Sequence, residues 1–280
     1  MSRHGFGPLP ARANAAYQTR NVMGRDTLYL NWGLWDAATA GFDAAALNLV
    51  RHLGRLAGID ARTRLLDVGF GFGDQLLDWC RHADLHHGVG LNLCPEQTAI
   101  ASQRLAAAGF AHRVQVRVGD AVALPFDDAS FDAVTAVECA FHFRTRPAFF
   151  AQAARVLRPG GRLVLADFIG PPASPNRRQR LGQFIAGRFW GFAPGSFCSA
   201  GDYRAQLAAA GFNAITLDDV TARVIVPGMR HARRRLWARD LRQRMQTSVW
   251  AGSVAAMTLS GLCGDPMPGA YVLVRAVKPE

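Results

Sequence analysis

Lysine is nearly absent from this 280-residue chain: Lys278 is the only one among 32 basic residues, and the rest are arginine. Cysteine is sparse too. Cys80, Cys94, Cys139, Cys198 and Cys263 are odd in number, widely spaced and without a C-x-x-C pair. This argues against a disulfide framework and a zinc site, and fits a reducing cytoplasm. His82, His86 and His87 find no carboxylate or cysteine to complete a metal set, so no metal is expected. Long apolar runs are also missing. The longest uncharged stretch near the end, Thr247 to Gly264, is broken by serine, threonine and glycine, and reads as a buried helix rather than a membrane span. The first residues lack the basic, apolar, small order of a secretory signal, so a cytoplasmic location is expected. Acidic residues number only 21, which leaves a net charge of +11 and permits attraction to phosphates or acidic surfaces.

Half of the chain is apolar and 19% is charged, as in an ordinary globular protein long enough to bury a full core. Its middle alternates strand-like and helix-like stretches, the pattern of a parallel sheet with crossover helices. Strands are expected at Arg64–Gly69, His87–Asn92, Arg113–Val118, Phe131–Val137 and Arg162–Asp167. Helices are expected at Asp74 to about Arg81, Pro95–Ala108 and Phe149–Leu157, the last stopped by Arg158-Pro159-Gly160-Gly161. A helix near Asp202–Ala210, a strand near Ala214–Leu217, a helical stretch over 228–263 and a strand Ala270–Val277 complete the chain. The expected organisation is a flexible segment 1–26 and one domain over 27–280. That domain has an N-terminal cap helix at about 27–56 and helical lid insertions at about 170–200 and 222–265. Phe184, Phe189, Trp190, Phe192 and Phe197 are either lid core or a substrate pocket, since both require burial.

The chemistry centres on Asp67-Val68-Gly69-Phe70-Gly71-Phe72-Gly73, a D-x-G-x-G-x-G run between a strand and a helix. Glycines there permit a sharp turn and a close ligand, and the helix start offers unpaired N–H groups. A dinucleotide fingerprint needs G-x-G-x-x-G, but Asp74 stands where its third glycine would be, so a seated pyrophosphate is disfavoured.

This run resembles the first motif of the class I S-adenosylmethionine-dependent methyltransferases. Two further segments resemble theirs, in the same order: Gly119-Asp120-Ala121 with Leu124-Pro125-Phe126 and Ser130-Phe131-Asp132, then Leu157 to Leu163. The likeness covers about residues 27 to 170. It implies an α/β fold, a Rossmann-like parallel sheet with an antiparallel last strand and helices on both faces. Asn31-Trp32-Gly33-Leu34-Trp35 resembles the N-x-G-x-W segment of the small-molecule branch acting on sugars, tocopherols, alkaloids and prenyl diphosphates, where it folds over the cofactor. Val137 to Phe143 resembles the E-x-x-x-H segment of that branch, and Asp167 matches an acidic position used beside its histidine.

By that resemblance S-adenosylmethionine is the cofactor. Asp67, Gly69, Gly71 and Gly73 would hold its methionine end, Asp120 and Ala121 its adenine edge, and Tyr29 and Trp32 would cover it. Asn92, with help from Gln97, would meet the ribose where many relatives have a carboxylate, and as a neutral partner would hold it less strongly. Glu138, Cys139 and His142 would line the passage to the acceptor. O-methylation with His142 as base, and Asp167 as its orienting carboxylate, is the expected chemistry. Carbon methylation of an anionic or prenyl diphosphate substrate, using Glu138, is the alternative. Tyr29 and Trp32 could equally anchor the first helix, and Asp167 could simply cap a turn.

Eight arginines between Ala222 and Gln246 (223, 230, 233, 234, 235, 239, 242 and 244) face one acid, Asp240. Met229, Leu236, Trp237, Leu241 and Met245 are expected on the apolar side. The arginines form a solvated face or a site for an anionic partner: a diphosphate-bearing acceptor, a carrier protein or a membrane surface. A homodimer is compatible with the sequence. A nucleic-acid methyltransferase is disfavoured, because Glu138-Cys139-Ala140-Phe141 is not an N-P-P-Y segment and no nucleic-acid module is attached. A non-catalytic cofactor-binding protein is the remaining alternative.

Overall fold

The computed structural model describes residues 23–143, 145–170, 176–177, 180–181, 198–244, 247–262 and 269–280. Segment 1–22, most of the insertion at 170–200 with its five aromatic residues, and Met245 lie outside the described residues.

A seven-stranded sheet organises the chain, in the order β3-β2-β1-β4-β5-β7-β6. The strands are β1 Arg64–Val68, β2 His87–Asn92, β3 Val114–Val118, β4 Phe131–Val137, β5 Leu157–Ile169, β6 Asn213–Asp219 and β7 Ala270–Val277. Pairings from β3 through β5 are parallel, and β7 runs antiparallel between β5 and β6. Helices α1 Phe42–Ala57, α2 Asp74–His82, α3 Pro95–Ala107, α4 Arg146–Val156 and α5 Ala200–Ala209 pack around it. Helices α6 Thr221–Leu236, α7 Arg239–Arg244 and α8 Thr247–Leu262 follow between β6 and β7.

The central strands are apolar almost throughout because both faces are covered. Leu65, Ala133, Val164 and Leu273 join one buried cluster with α1 and α2, whereas Leu66, Val134, Leu163 and Val274 join another with α4 and α5. Strand order reverses between β1 and β4, since β1 continues to β2 on one side and β4 to β5 on the other. Ligands of open α/β sheets bind at such a reversal, beyond the carboxyl ends of the strands.

Three local expectations are corrected. The N-terminal cap is helical only from Phe42; residues 24–41 are an irregular strap. Gly33, at φ +77°, breaks any helix there, and a Cβ on it would lie 2.6 Å from the Ala45 Cβ, so the strap hugs α1. Pro159-Gly160-Gly161 does not separate helix from strand. β5 already starts at Leu157 and passes through these residues with a register shift against β4, Gly160 adopting φ +71°. Helix α4 begins three residues early, because the Thr145 side chain caps it by accepting the Ala148 N–H.

Candidate active site

The β1–α2 loop forms one wall of the crevice. Gly69, Gly71 and Gly73 all have positive φ. A Cβ on Gly69 would fall 2.6 Å from Cys139, so this turn can lie against the end of β4 only as glycine. The Cys139 thiol donates to the Val68 carbonyl at 3.1 Å. It is buried and therefore pushed well above the ordinary thiol range. Cys139 is thus a strut between the β1 and β4 ends.

Asp67 is fully buried. Strand register sets it beside Thr135, whose hydroxyl donates to Oδ1 at 2.7 Å. Oδ2 has no hydrogen bond among the described residues. Gln75 approaches and favours the charged form without reaching hydrogen-bonding geometry, but burial dominates and pushes the carboxyl up to about 7. Asp67, Asp167 and Glu138 all act on the neighbouring Cys139 thiol, so three carboxyl groups converge at this end of the sheet.

Asn92 ends β2, and its amide donates to Gln97 Oε1 at 2.9 Å, bringing the two residues together. Asp120 and Ala121 follow β3 in a turn closed by the Val122 N–H donating to Asp120 at 3.0 Å. The strap crosses from the other side. Asp74 accepts the Leu28 N–H at 3.2 Å while held by the Arg104 guanidinium, and Tyr29 is buried nearby. Trp32 lies against α6, where a Cβ on Gly228 would meet its ring at 2.8 Å.

The strap is fastened at Glu138. Its Oε1 accepts the Trp32 N–H and the Tyr271 hydroxyl, each at 2.6 Å. Glu138 itself stands at φ +53°, unusual for a residue with a side chain, and its N–H bonds to the Ala166 carbonyl. Burial pushes its carboxyl up to about 8. Four residues on, His142 closes a 3₁₀ turn over Ala140–His142; its N–H bonds to the Cys139 carbonyl at 2.9 Å and its ring centroid lies 4.1 Å from that of Phe141.

Asp167 departs from its expected role as the carboxylate orienting His142. It is fully buried, and Arg146 Nε donates to Oδ2 at 2.8 Å. The Tyr203 hydroxyl donates to the same oxygen at 2.9 Å, and the Phe168 N–H to Oδ1 at 2.8 Å. A buried carboxylate so engaged balances the buried Arg146 charge. Thr135, Tyr271, Arg146 and Tyr203 were not anticipated. A lone threonine in Phe131–Val137 was a readable signal for the first. The other three depend on contacts between distant segments.

Comparison with known proteins supplies the class. A family model described as a methyltransferase domain matches residues 66–165. Erythromycin 3''-O-methyltransferase of Saccharopolyspora erythraea is 31% identical over 263 residues, covering 90% of this chain and 84% of that protein. The 27-O-demethylrifamycin SV methyltransferase of Amycolatopsis mediterranei is 31% identical over 259 residues, covering 90% of each. Geranyl diphosphate C-methyltransferase from Streptomyces coelicolor A3(2), solved with Mg2+, geranyl diphosphate and S-adenosyl-L-homocysteine, shares the fold at TM-score 0.69 and 17% identity, covering 98% of this chain and 99% of that one. The chain belongs to the class I S-adenosylmethionine-dependent methyltransferases. It is an enzyme that methylates small molecules, with S-adenosylmethionine as cofactor. The crevice fits that cation: it holds an unpaired buried carboxyl oxygen on Asp67 and two further carboxyl groups close by.

Two outcomes follow from this geometry. Asp167→Asn should lower the unfolding free energy by about 3–5 kcal/mol, because Arg146 keeps its charge in the core. Adding Arg146→Met should recover much of that in a denaturant double-mutant cycle. Normal stability with lost turnover in Asp167→Asn would instead return Asp167 to the chemistry. Burial raises Glu138, so its contribution to stability is complete below its ordinary value of 4.5 and is lost as pH climbs through about 8. Glu138→Gln keeps an acceptor oxygen but does not titrate. Its melting temperature should therefore decline less than that of the wild type between about pH 6 and about pH 9.

Proposed function

We propose that this enzyme methylates a hydroxyl group of an oxygen-rich, largely apolar natural product, with His142 taking the hydroxyl proton. The acceptor class follows the two relatives whose names carry erythromycin and rifamycin, both O- or 27-O-specific by name. The observation that carries the role of His142 is its seat on the short turn leaving β4, four residues beyond the strap anchor Glu138, at the point where strand order reverses.

Bound S-adenosylmethionine supplies a methyl group activated by its sulfonium. Asp67 would hold the ammonium of its methionine end, and the glycine turn and the start of α2 would supply N–H donors for its carboxylate. Asn92 with Gln97 receives the ribose hydroxyls, and Asp120 and Ala121 meet the adenine edge. Tyr29 and Trp32, carried on the strap, cover the site and exclude water. His142 would take the proton of the acceptor hydroxyl as the oxygen displaces the sulfur at the methyl group that the cofactor would supply. Alignment of acceptor, methyl and sulfur by these residues lowers the barrier by several kcal/mol.

His142→Gln should lower kcat about 10²–10⁴-fold, with calorimetric cofactor affinity unchanged. Normal turnover would remove His142 from the mechanism. Asp67→Asn separates stability from binding. The buried carboxyl contributes to stability below its ordinary value of 3.8, and that contribution is lost as pH rises through about 7. Without cofactor at higher pH, the variant should melt at or above the wild type. It should bind S-adenosylmethionine about thirtyfold more weakly, having lost one side of a buried charge pair.

A further inference from the structure

Helix α6 turns a stripe of arginines away from the crevice. At 3.6 residues per turn, Arg223, Val226, Arg230, Arg233, Arg234 and Trp237 fall within an arc of about 100°, and all six are exposed. The opposite face is buried through Val224, Ile225, Gly228, Met229 and Ala232, and Gly228 is where the helix meets Trp32 of the strap. The stripe therefore points directly away from the covered site, out of reach of an acceptor lying there.

No acid occurs in Thr221–Leu236. Among the described residues, Arg230, Arg233 and Arg234 take part in none of the ion pairs. The next acid, Asp240, is bound by both terminal nitrogens of Arg235, the one arginine of this helix that turns inward.

Apolar surface accompanies the charge. Trp237 is 63% exposed and Val226 is 54% exposed, so Trp237 departs from its expected place on the apolar, buried side. The Trp237 ring meets Trp250 edge-on at 5.6 Å, and the Arg242 guanidinium lies 5.1 Å from the centre of the Trp250 ring. Helix α8, which carries Trp250, has no charged residue in its 16 positions and turns Ala251, Gly252 and Ala255 to solvent.

A purely polar polyanion would satisfy the guanidinium groups and leave the indole and valine in water. An anionic bilayer answers both demands, with phosphates for arginine and an interfacial layer for Trp237 and Val226. No described helix is long and apolar enough to cross a membrane, so the contact lies in the headgroup plane. We propose that α6, with the Trp237–Trp250 corner, docks reversibly on an anionic lipid surface.

Co-sedimentation of the full chain with vesicles tests this. One set is phosphatidylcholine alone and the other contains about one-third phosphatidylglycerol. The protein should partition onto the anionic set only and leave it as salt rises. The triple change Arg230→Gln, Arg233→Gln, Arg234→Gln should weaken partitioning about a hundredfold. Trp237→Ala should weaken it several-fold, and both variants should keep the wild-type melting temperature and lipid-free methyl transfer. Wild-type protein that stays in solution with both sets overturns the proposal, as does equal partitioning of the triple variant. Binding to heparin as tight as to anionic vesicles, with both indifferent to Trp237→Ala, assigns the stripe to a nucleic acid or acidic protein and equally overturns it.

Discussion

Glu138 Oε1 receives the Trp32 amide and the Tyr271 hydroxyl, and these two bonds join pieces of chain that are far apart in sequence. The strap comes from before the first helix, Glu138 from the end of β4, and Tyr271 from the last strand. Much of the crevice depends on this junction. The strained φ of Glu138 aims its carboxyl back toward the strap, and Cys139, the next residue, bears on Gly69 and Val68. Trp32, once fastened, gives α6 a ring to pack upon through Gly228. Because burial favours the protonated acid, the junction works as a hydrogen-bonded hub more than as an ion.

Three carboxyl groups gather near the ends of β1, β4 and β5, and each meets the cost of burial differently. Asp167 is balanced by Arg146 and two further donors. Glu138 is held by neutral donors. Asp67 receives a single hydroxyl on one oxygen, and the other has no hydrogen bond among the described residues. Among the described residues only the last arrangement is incomplete, which is the condition expected where a cationic ligand completes it. Burial is thus offset by an ion pair at Asp167, by neutral donors at Glu138 and by one hydroxyl at Asp67.

Most of the sheet was legible because its information is local. The apolar runs ended by glycine, the proline that opens α3 and the alternation of strands with helices set β1 to β5 in order, and His87–Asn92, Phe131–Val137 and Ala270–Val277 match their observed bounds. The glycine run was legible for the same reason, since a turn between strand and helix is written in consecutive residues. The strap was misread as helix because Gly33 acts through packing on Ala45, which no period displays. The partner of Asp167 was misread because proximity along neighbouring strands suggested His142, whereas Arg146 and Tyr203 reach it from α4 and α5. Trp237 was misplaced for a different reason: at 3.6 residues per turn it falls in the exposed stripe with Arg230 and Arg234, and its ring meets Trp250 edge-on.

The scarcity of lysine gives the outer surface a property of its own. Its sole lysine, Lys278, donates from Nζ to the Leu157 carbonyl at 2.6 Å and lies beside the start of β5, far from the α6 stripe in sequence. Guanidinium groups stay protonated at every pH the fold tolerates and are not targets of the acylation that neutralises amines. The charge of the α6 arginine stripe is therefore deaf to acidity and to acetyl transfer, and what tunes its strength is the concentration of counterions around it.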